Sequence, residues 1–116
     1  MYKRQPQPNE FIATDFELVA RDPDNSDFPT VLYESPLGRV WYRQDDEFER
    51  PKCNMYFILD SPAAYVNPHH ANLTRMIAAM FKDDMTEYTY DADLASLFYS
   101  IGNTRRGLIL SVTGTY

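Results

Sequence analysis

The sequence predicts an α+β fold, with a mainly antiparallel sheet backed by one long helix. Three observations carry that prediction. Short strand-like runs bounded by Pro, Gly and Asn lie on both sides of one helical stretch. No Gly or Pro occurs from His69 to Ile101, and Leu73, Met76, Ile77, Met80 and Phe81 recur at helical spacing. The last two apolar runs are close enough to pair as a hairpin.

Residues 1–29 read as an extended arm and connector. "QPQPNEF" alternates proline with polar residues and should run extended. Phe11, Ile12, Phe16 and Leu18 are spaced anchors, and "RDPDNSDFPT" is a connector by composition. Such an arm packs against something larger and is expected to be mobile over residues 9–19 on its own.

Residues 30–116 read as a partial α+β domain. "TVLYE" and "RVWYRQ" are short strands joined by the turn "SPLG". "DDEFERP" is a charged link. "KCNMYFIL" carries apolar bulk on both faces, which predicts a central strand covered on both sides, with Cys53 as a buried core thiol. Asn67 is a good helix N-cap and Pro68 suits the first helical position. The helix should run from about 68 to at least 82, and extend or resume to about 95. "KDDMTEYTYDAD" is a weaker helix former, where a bend is expected. "SLFYSI" and "GLILSVTG" are strands separated by "GNTRR". One helix covers such a sheet poorly, so the domain reads as incomplete, with an apolar face prone to aggregation or dye binding.

Composition removes several function classes. The 116 residues are 44% hydrophobic and 15% aromatic, too apolar for a disordered chain. Seventeen acids against 11 bases give a net charge of -6, which argues against nucleic-acid or anionic-membrane partners. No apolar run is long enough to span a bilayer, and "MYKRQPQPNE" has no apolar core of a signal peptide. The single cysteine excludes an internal disulfide and a cysteine-rich zinc site. "NLT" at 72–74 matches a glycosylation acceptor, but it falls inside the predicted helix.

The side chains that could carry chemistry do not assemble a site. His69 and His70 are adjacent at the helix start. One residue turns a helical side chain by about 100°, so the two point in different directions. Asp45, Asp46, Glu47 and Glu49 read as a solvated link, and the five acids of "KDDMTEYTYDAD" as a solvated face. Ser61, Ser100 and Ser111 lack a nucleophile elbow. The four glycines form no phosphate loop. Arg105 and Arg106 could bind an anion, but read first as a solvated turn.

"NEFIATDFELVA", "PLGRVWYRQDDEFERPKCNMYFILDSPAAYVNPHHANL" and "GLILSVTG", in that order, resemble the insulin-degrading enzyme and nardilysin branch of the inverzincin (M16) metallopeptidases. The resemblance covers nearly all of residues 9–114. It implies a parent of two bowl-shaped halves closing around a peptide chamber. Zinc would sit in the parent's catalytic first domain, on an HxxEH helix. This segment resembles the linker and the start of the non-catalytic third domain, so 30–116 would be a partial M16-like domain.

The third domain's early helix looks equivalent to the zinc-bearing one, so both histidine frames can be compared with HxxEH. From His70, the Glu and second His positions hold Leu73 and Thr74. From His69 they hold Asn72 and Leu73. No catalytic, cofactor-binding or metal residue is therefore assigned, and the chain alone is predicted inactive, with no cofactor of its own.

The resemblance implies a fragment of a zinc metalloendopeptidase, contributing scaffold and chamber wall to a parent that hydrolyses peptide bonds. Its partners would be the remainder of the M16 chain, the parent's peptide substrates and a second parent copy in a homodimer. Neither nucleic acid nor membrane is expected. The expected compartment is the cytoplasm, with peroxisome and mitochondrion as alternatives. The competing reading is a stand-alone peptide- or protein-binding module without catalysis.

Overall fold

The computed structural model describes residues 5–115. Its elements are β1 (Thr30–Ser35), β2 (Gly38–Tyr42), β3 (Lys52–Asp60), α1 (Pro68–Asp84), α2 (Thr86–Leu94), β4 (Phe98–Thr104) and β5 (Gly107–Thr115). The mixed α+β class with antiparallel strands is as the sequence predicts. The described parts of Met1–Phe16 and Lys52–Tyr116 form one compact unit, and Glu17–Pro51 forms the other.

The smaller unit is built on the antiparallel β1–β2 hairpin, closed by Pro36 and Leu37 between the paired Ser35 and Gly38. Ser35 Oγ accepts from the Leu37 N–H and donates to the Gly38 carbonyl, both at 3.3 Å, which fixes the turn. Glu34 and Arg39 lie opposite one another and form an ion pair. Arg39 also lies over the Trp41 ring, 5.7 Å from its centroid.

In the larger unit the sheet order is β3-β5-β4, antiparallel throughout. Opposite residues share a face. One face therefore carries Met55, Phe57 and Leu59 from β3, Leu108, Leu110 and Val112 from β5, and Tyr99 and Ile101 from β4. Helix α1 packs over β4 and β5 on this face, and Phe81 meets Tyr99 edge to face at 6.4 Å. The buried apolar residues among those described are alanines: Ala64, Ala78 and Ala92. They are small enough to let backbone elements approach closely.

The helical run breaks at Met85, inside the stretch where a bend is expected. Thr86 Oγ1 donates to the Lys82 carbonyl and Thr89 Oγ1 to the Met85 carbonyl, both at 2.9 Å. Hydroxyls bonded back to the preceding turn compete with the helical ladder and bend it. On α2, Tyr88 meets Phe11 of the arm edge to face at 5.8 Å. Asn9 Nδ2 donates to the Asp91 carbonyl at 2.6 Å. The arm's start thus lies along α2.

Four expectations need correction. The strands form two sheets rather than one. Strand β3 is an edge of its sheet, not its centre; β5 takes the middle because the two-residue turn places β4 against it on one side. Apolar bulk on both faces of β3 signals coverage, not position, and within the described residues that coverage is missing: Tyr56 is 68% and Ile58 63% exposed. Cys53 is consequently exposed rather than a core thiol, since α1 reaches β4 and β5 but does not cover β3. Finally, β4 continues through Gly102, Asn103 and Thr104, so only Arg105 and Arg106 form the turn.

Gly107 explains how tightly that turn is drawn against β3. Its φ is +154°, and a Cβ there would stand 2.0 Å from the Leu59 carbonyl oxygen. The Ser61 N–H donates to the Arg106 carbonyl at 2.8 Å beside it.

Candidate functional site

The two histidines occupy the helix start as the sequence places them, and the structure gives His70 a structural task. Asn67 has extended backbone (φ −154°, ψ 170°), and its Oδ1 accepts from the His70 N–H at 3.0 Å. Pro68 follows as the first helical residue. His70 Nδ1 lies 2.8 Å from the Ala63 carbonyl, so Nδ1–H donates to it. Thr74 Oγ1 is 3.0 Å from the Ala64 carbonyl and 2.9 Å from that of His70. His70 and the buried Thr74 therefore fasten the 61–64 turn to the first turns of α1. The imidazole rings stand 6.1 Å apart and are inclined by 68°, so they do not converge on one ion.

Zinc does not fit these residues. His70 has committed one ring nitrogen to Ala63, Leu73 supplies no ligand or base, and the Thr74 hydroxyl is turned to backbone carbonyls. Among the described residues, no three His, Cys, Asp or Glu side chains are grouped to hold a metal.

Several of the remaining candidates are likewise engaged in structure. Asp46 pairs with Arg21 at 2.9 Å. Burial works to raise its pKa, but hydrogen bonds from Asn25 and Arg21, with the Arg21 charge, outweigh it and hold the carboxyl below its usual range. Asp45 Oδ1 accepts from the Glu47 N–H at 3.1 Å in a local turn. Ser100 and Ser111 face each other across β4 and β5 with their hydroxyl oxygens 2.8 Å apart. Arg106 is ion-paired with Asp60.

Sequence reasoning missed Gln44. It is 9% exposed and organises the smaller unit through both ends of its amide. Oε1 accepts from the Asp22 N–H at 2.7 Å, and Nε2 donates to the Ala20 carbonyl at 2.9 Å and more weakly to that of Val19 at 3.4 Å. Its own carbonyl accepts from Asn25 Nδ2 at 3.0 Å. A glutamine next to two aspartates reads as a polar link, and nothing in its neighbours signals burial.

A helix laid over an antiparallel sheet, as α1 lies over β4 and β5, is the arrangement of an M16-type domain. The chain belongs to the M16 peptidase family, in its insulin-degrading enzyme and nardilysin branch, and corresponds to the non-catalytic middle or third domain. The family description "Middle or third domain of peptidase_M16" matches residues 4–115. Bovine insulin-degrading enzyme is 38% identical over 109 residues, covering 94% of this chain and 11% of that protein. Human nardilysin is 33% identical over 109 residues, covering 94% of this chain and 10% of that protein. The crystal structure of pitrilysin superposes with a TM-score of 0.84 at 21% identity, covering 97% of this chain and 12% of that one, which shows the same fold. The chain thus spans about a tenth of the length of these relatives.

Proposed function

We propose that this chain works as a scaffold segment of an M16 zinc metalloendopeptidase, forming part of a substrate-chamber wall. The observation that carries the proposal is the helix start. The match to the middle or third domain runs through it, yet Leu73 and Thr74 stand where HxxEH chemistry needs Glu and His. Zinc and peptide hydrolysis are assigned to a catalytic half outside these residues. The partners proposed are that half, the peptides it cleaves and a second parent copy, in the cytoplasm.

Exposed β3 supports this reading, because an edge strand with two bare apolar faces needs further protein to cover it. Hydrogen exchange tests it directly. Amides of β3 that exchange rapidly in the 116-residue chain should become protected in the longer polypeptide. The chain with zinc should not cleave a fluorogenic peptide. Metal-dependent turnover by pure chain would overturn the proposal, as would unchanged β3 exchange.

The same exposed strand favours a second reading, a stand-alone module that binds a peptide along β3. A reading frame that continues past Tyr116 into further helix and sheet would exclude it.

A further inference from the structure

The turn between β4 and β5 gathers positive charge that the protein's overall balance does not lead one to expect. Three of its 11 basic residues, Arg75, Arg105 and Arg106, line two open depressions at one end of the larger unit. The first, of about 360 Å³, is lined by Asp60, Ser61, Tyr65, Arg105 and Arg106 among others. The second, of about 420 Å³, is lined by Tyr65, Arg75, Asn103, Thr104 and Arg105. Tyr65 and Arg105 belong to both, so the two depressions adjoin.

The charges there do not cancel. Among the described residues, Asp60 is the only acid lining either depression, and it is taken by Arg106. Among the described residues, the guanidinium groups of Arg75 and Arg105 have no hydrogen-bond or ion-pair partner. Two guanidinium groups are therefore left to one surface of a chain whose net charge is -6. Neutral donors stand beside them: the Tyr65 hydroxyl, the Asn103 amide and the Thr104 hydroxyl. Thr104 Oγ1 accepts from the Arg106 N–H at 3.2 Å, which leaves its own proton to donate outward.

We propose that Arg75 and Arg105, with Tyr65, Asn103 and Thr104, form a binding site for a phosphate dianion. Two unpaired cations match two negative charges. A guanidinium fork presents paired N–H donors to phosphate oxygens, and the hydroxyl and amide groups can satisfy the oxygens that remain. A carboxylate would answer one arginine and leave the other unpaired. The site is independent of the scaffold reading, since it uses none of the residues compared with the zinc motif and needs no catalytic partner.

The test is a titration of the 15N-labelled chain with inorganic phosphate at pH 7.5 and low salt, where screening is weak. Saturable shifts are expected in the amides of 103–107 and in the Arg75 and Arg105 Nε signals. Arg75→Gln and Arg105→Gln should each weaken binding about tenfold, the loss of one charged hydrogen-bonding partner. Arg105→Lys should fall between, keeping the charge without the fork. Asp60→Asn should tighten binding by freeing Arg106, an increase that damage to the fold would not produce. Arg50→Gln, outside both depressions, should leave binding unchanged. Lowering the pH to 5, where phosphate is a monoanion, should weaken it. The proposal is overturned by an absence of saturable shifts, by an equal response to acetate, or by a Arg75→Gln/Arg105→Gln double variant that binds like the parent chain.

Discussion

Each of the two compact units of this chain is held together internally, and by opposite means. The smaller, Glu17–Pro51, is drawn in by polar bonds to main chain, with the Gln44 amide at their centre. The larger is a sheet and helix whose apolar residues face one another across β4, β5 and α1. A polar clasp depends on individual geometry, so it can be undone at one side chain. An apolar layer tolerates side-chain change better, but it is vulnerable wherever backbones come too close for a Cβ. The difference predicts where each unit breaks.

The largest effect is expected at Gly107. Alanine there would meet the Leu59 carbonyl and would have to hold a φ of +154°. Overpacking and backbone strain together should cost the larger unit about 3 kcal/mol. Denaturant unfolding followed by the helical circular-dichroism signal measures it. A midpoint equal to that of the unchanged chain would show that the turn is not pinned against β3.

Next comes Gln44→Ala, which removes the acceptor of the Asp22 N–H and the donor to the Ala20 carbonyl. Losing these part-buried hydrogen bonds should cost about 1–3 kcal/mol. The loss should be confined to the smaller unit. Trp41, the chain's only tryptophan, lies in β2 and reports on that unit alone. Its emission should change at lower denaturant than the helical signal. Coincident transitions would show that the clasp is not local.

Thr74→Val sharpens the same comparison inside the larger unit, where polar bonds supplement the apolar layer. It keeps the shape and deletes the hydroxyl that reaches the Ala64 and His70 carbonyls. A cost of about 1–2 kcal/mol is expected, with the helix intact. The His70 imidazole should also be less restrained. An unchanged His70 ring resonance and stability would mean that the 61–64 turn is fixed without Thr74.

What could be read beforehand follows this division. The larger unit was legible in order and type, because apolar period and capping are local signals: Asn67 and Pro68 open α1, and the weak stretch around Met85 interrupts it. Position in the sheet was not legible. The apolar faces of β3 look like those of a central strand, and only pairing shows that β5, with its serine and glycines, lies in the middle. The helix start itself was legible from residue identity, since an Asn before a Pro is a local capping signal. Gln44 was invisible because the partners of its side chain lie 22 to 25 residues away and are all main chain. Arg75 and Arg105 are 30 residues apart in sequence, and only the fold brings them to one depression.

The smallest effect concerns the ion pair that closes the polar unit. Asp46 titrates below its usual range in the folded chain, because the Asn25 and Arg21 hydrogen bonds and the Arg21 charge outweigh burial. A depressed folded pKa means that the unfolded state binds the proton more readily. The pair's stabilisation is then fully present above the unfolded value of about 3.9, and is lost as pH falls through the folded one. Arg21 is 74% exposed, so solvent and salt screen much of the interaction. Asp46→Asn should therefore leave the Trp41 transition nearly unchanged at neutral pH in high salt. It should flatten the acid dependence of that transition below about pH 4, the range in which the native carboxylate takes up its proton. An acid limb as steep in Asp46→Asn as in the unchanged chain would assign it to other carboxylates, and would leave Gln44 to hold the smaller unit without help from the Arg21 pair.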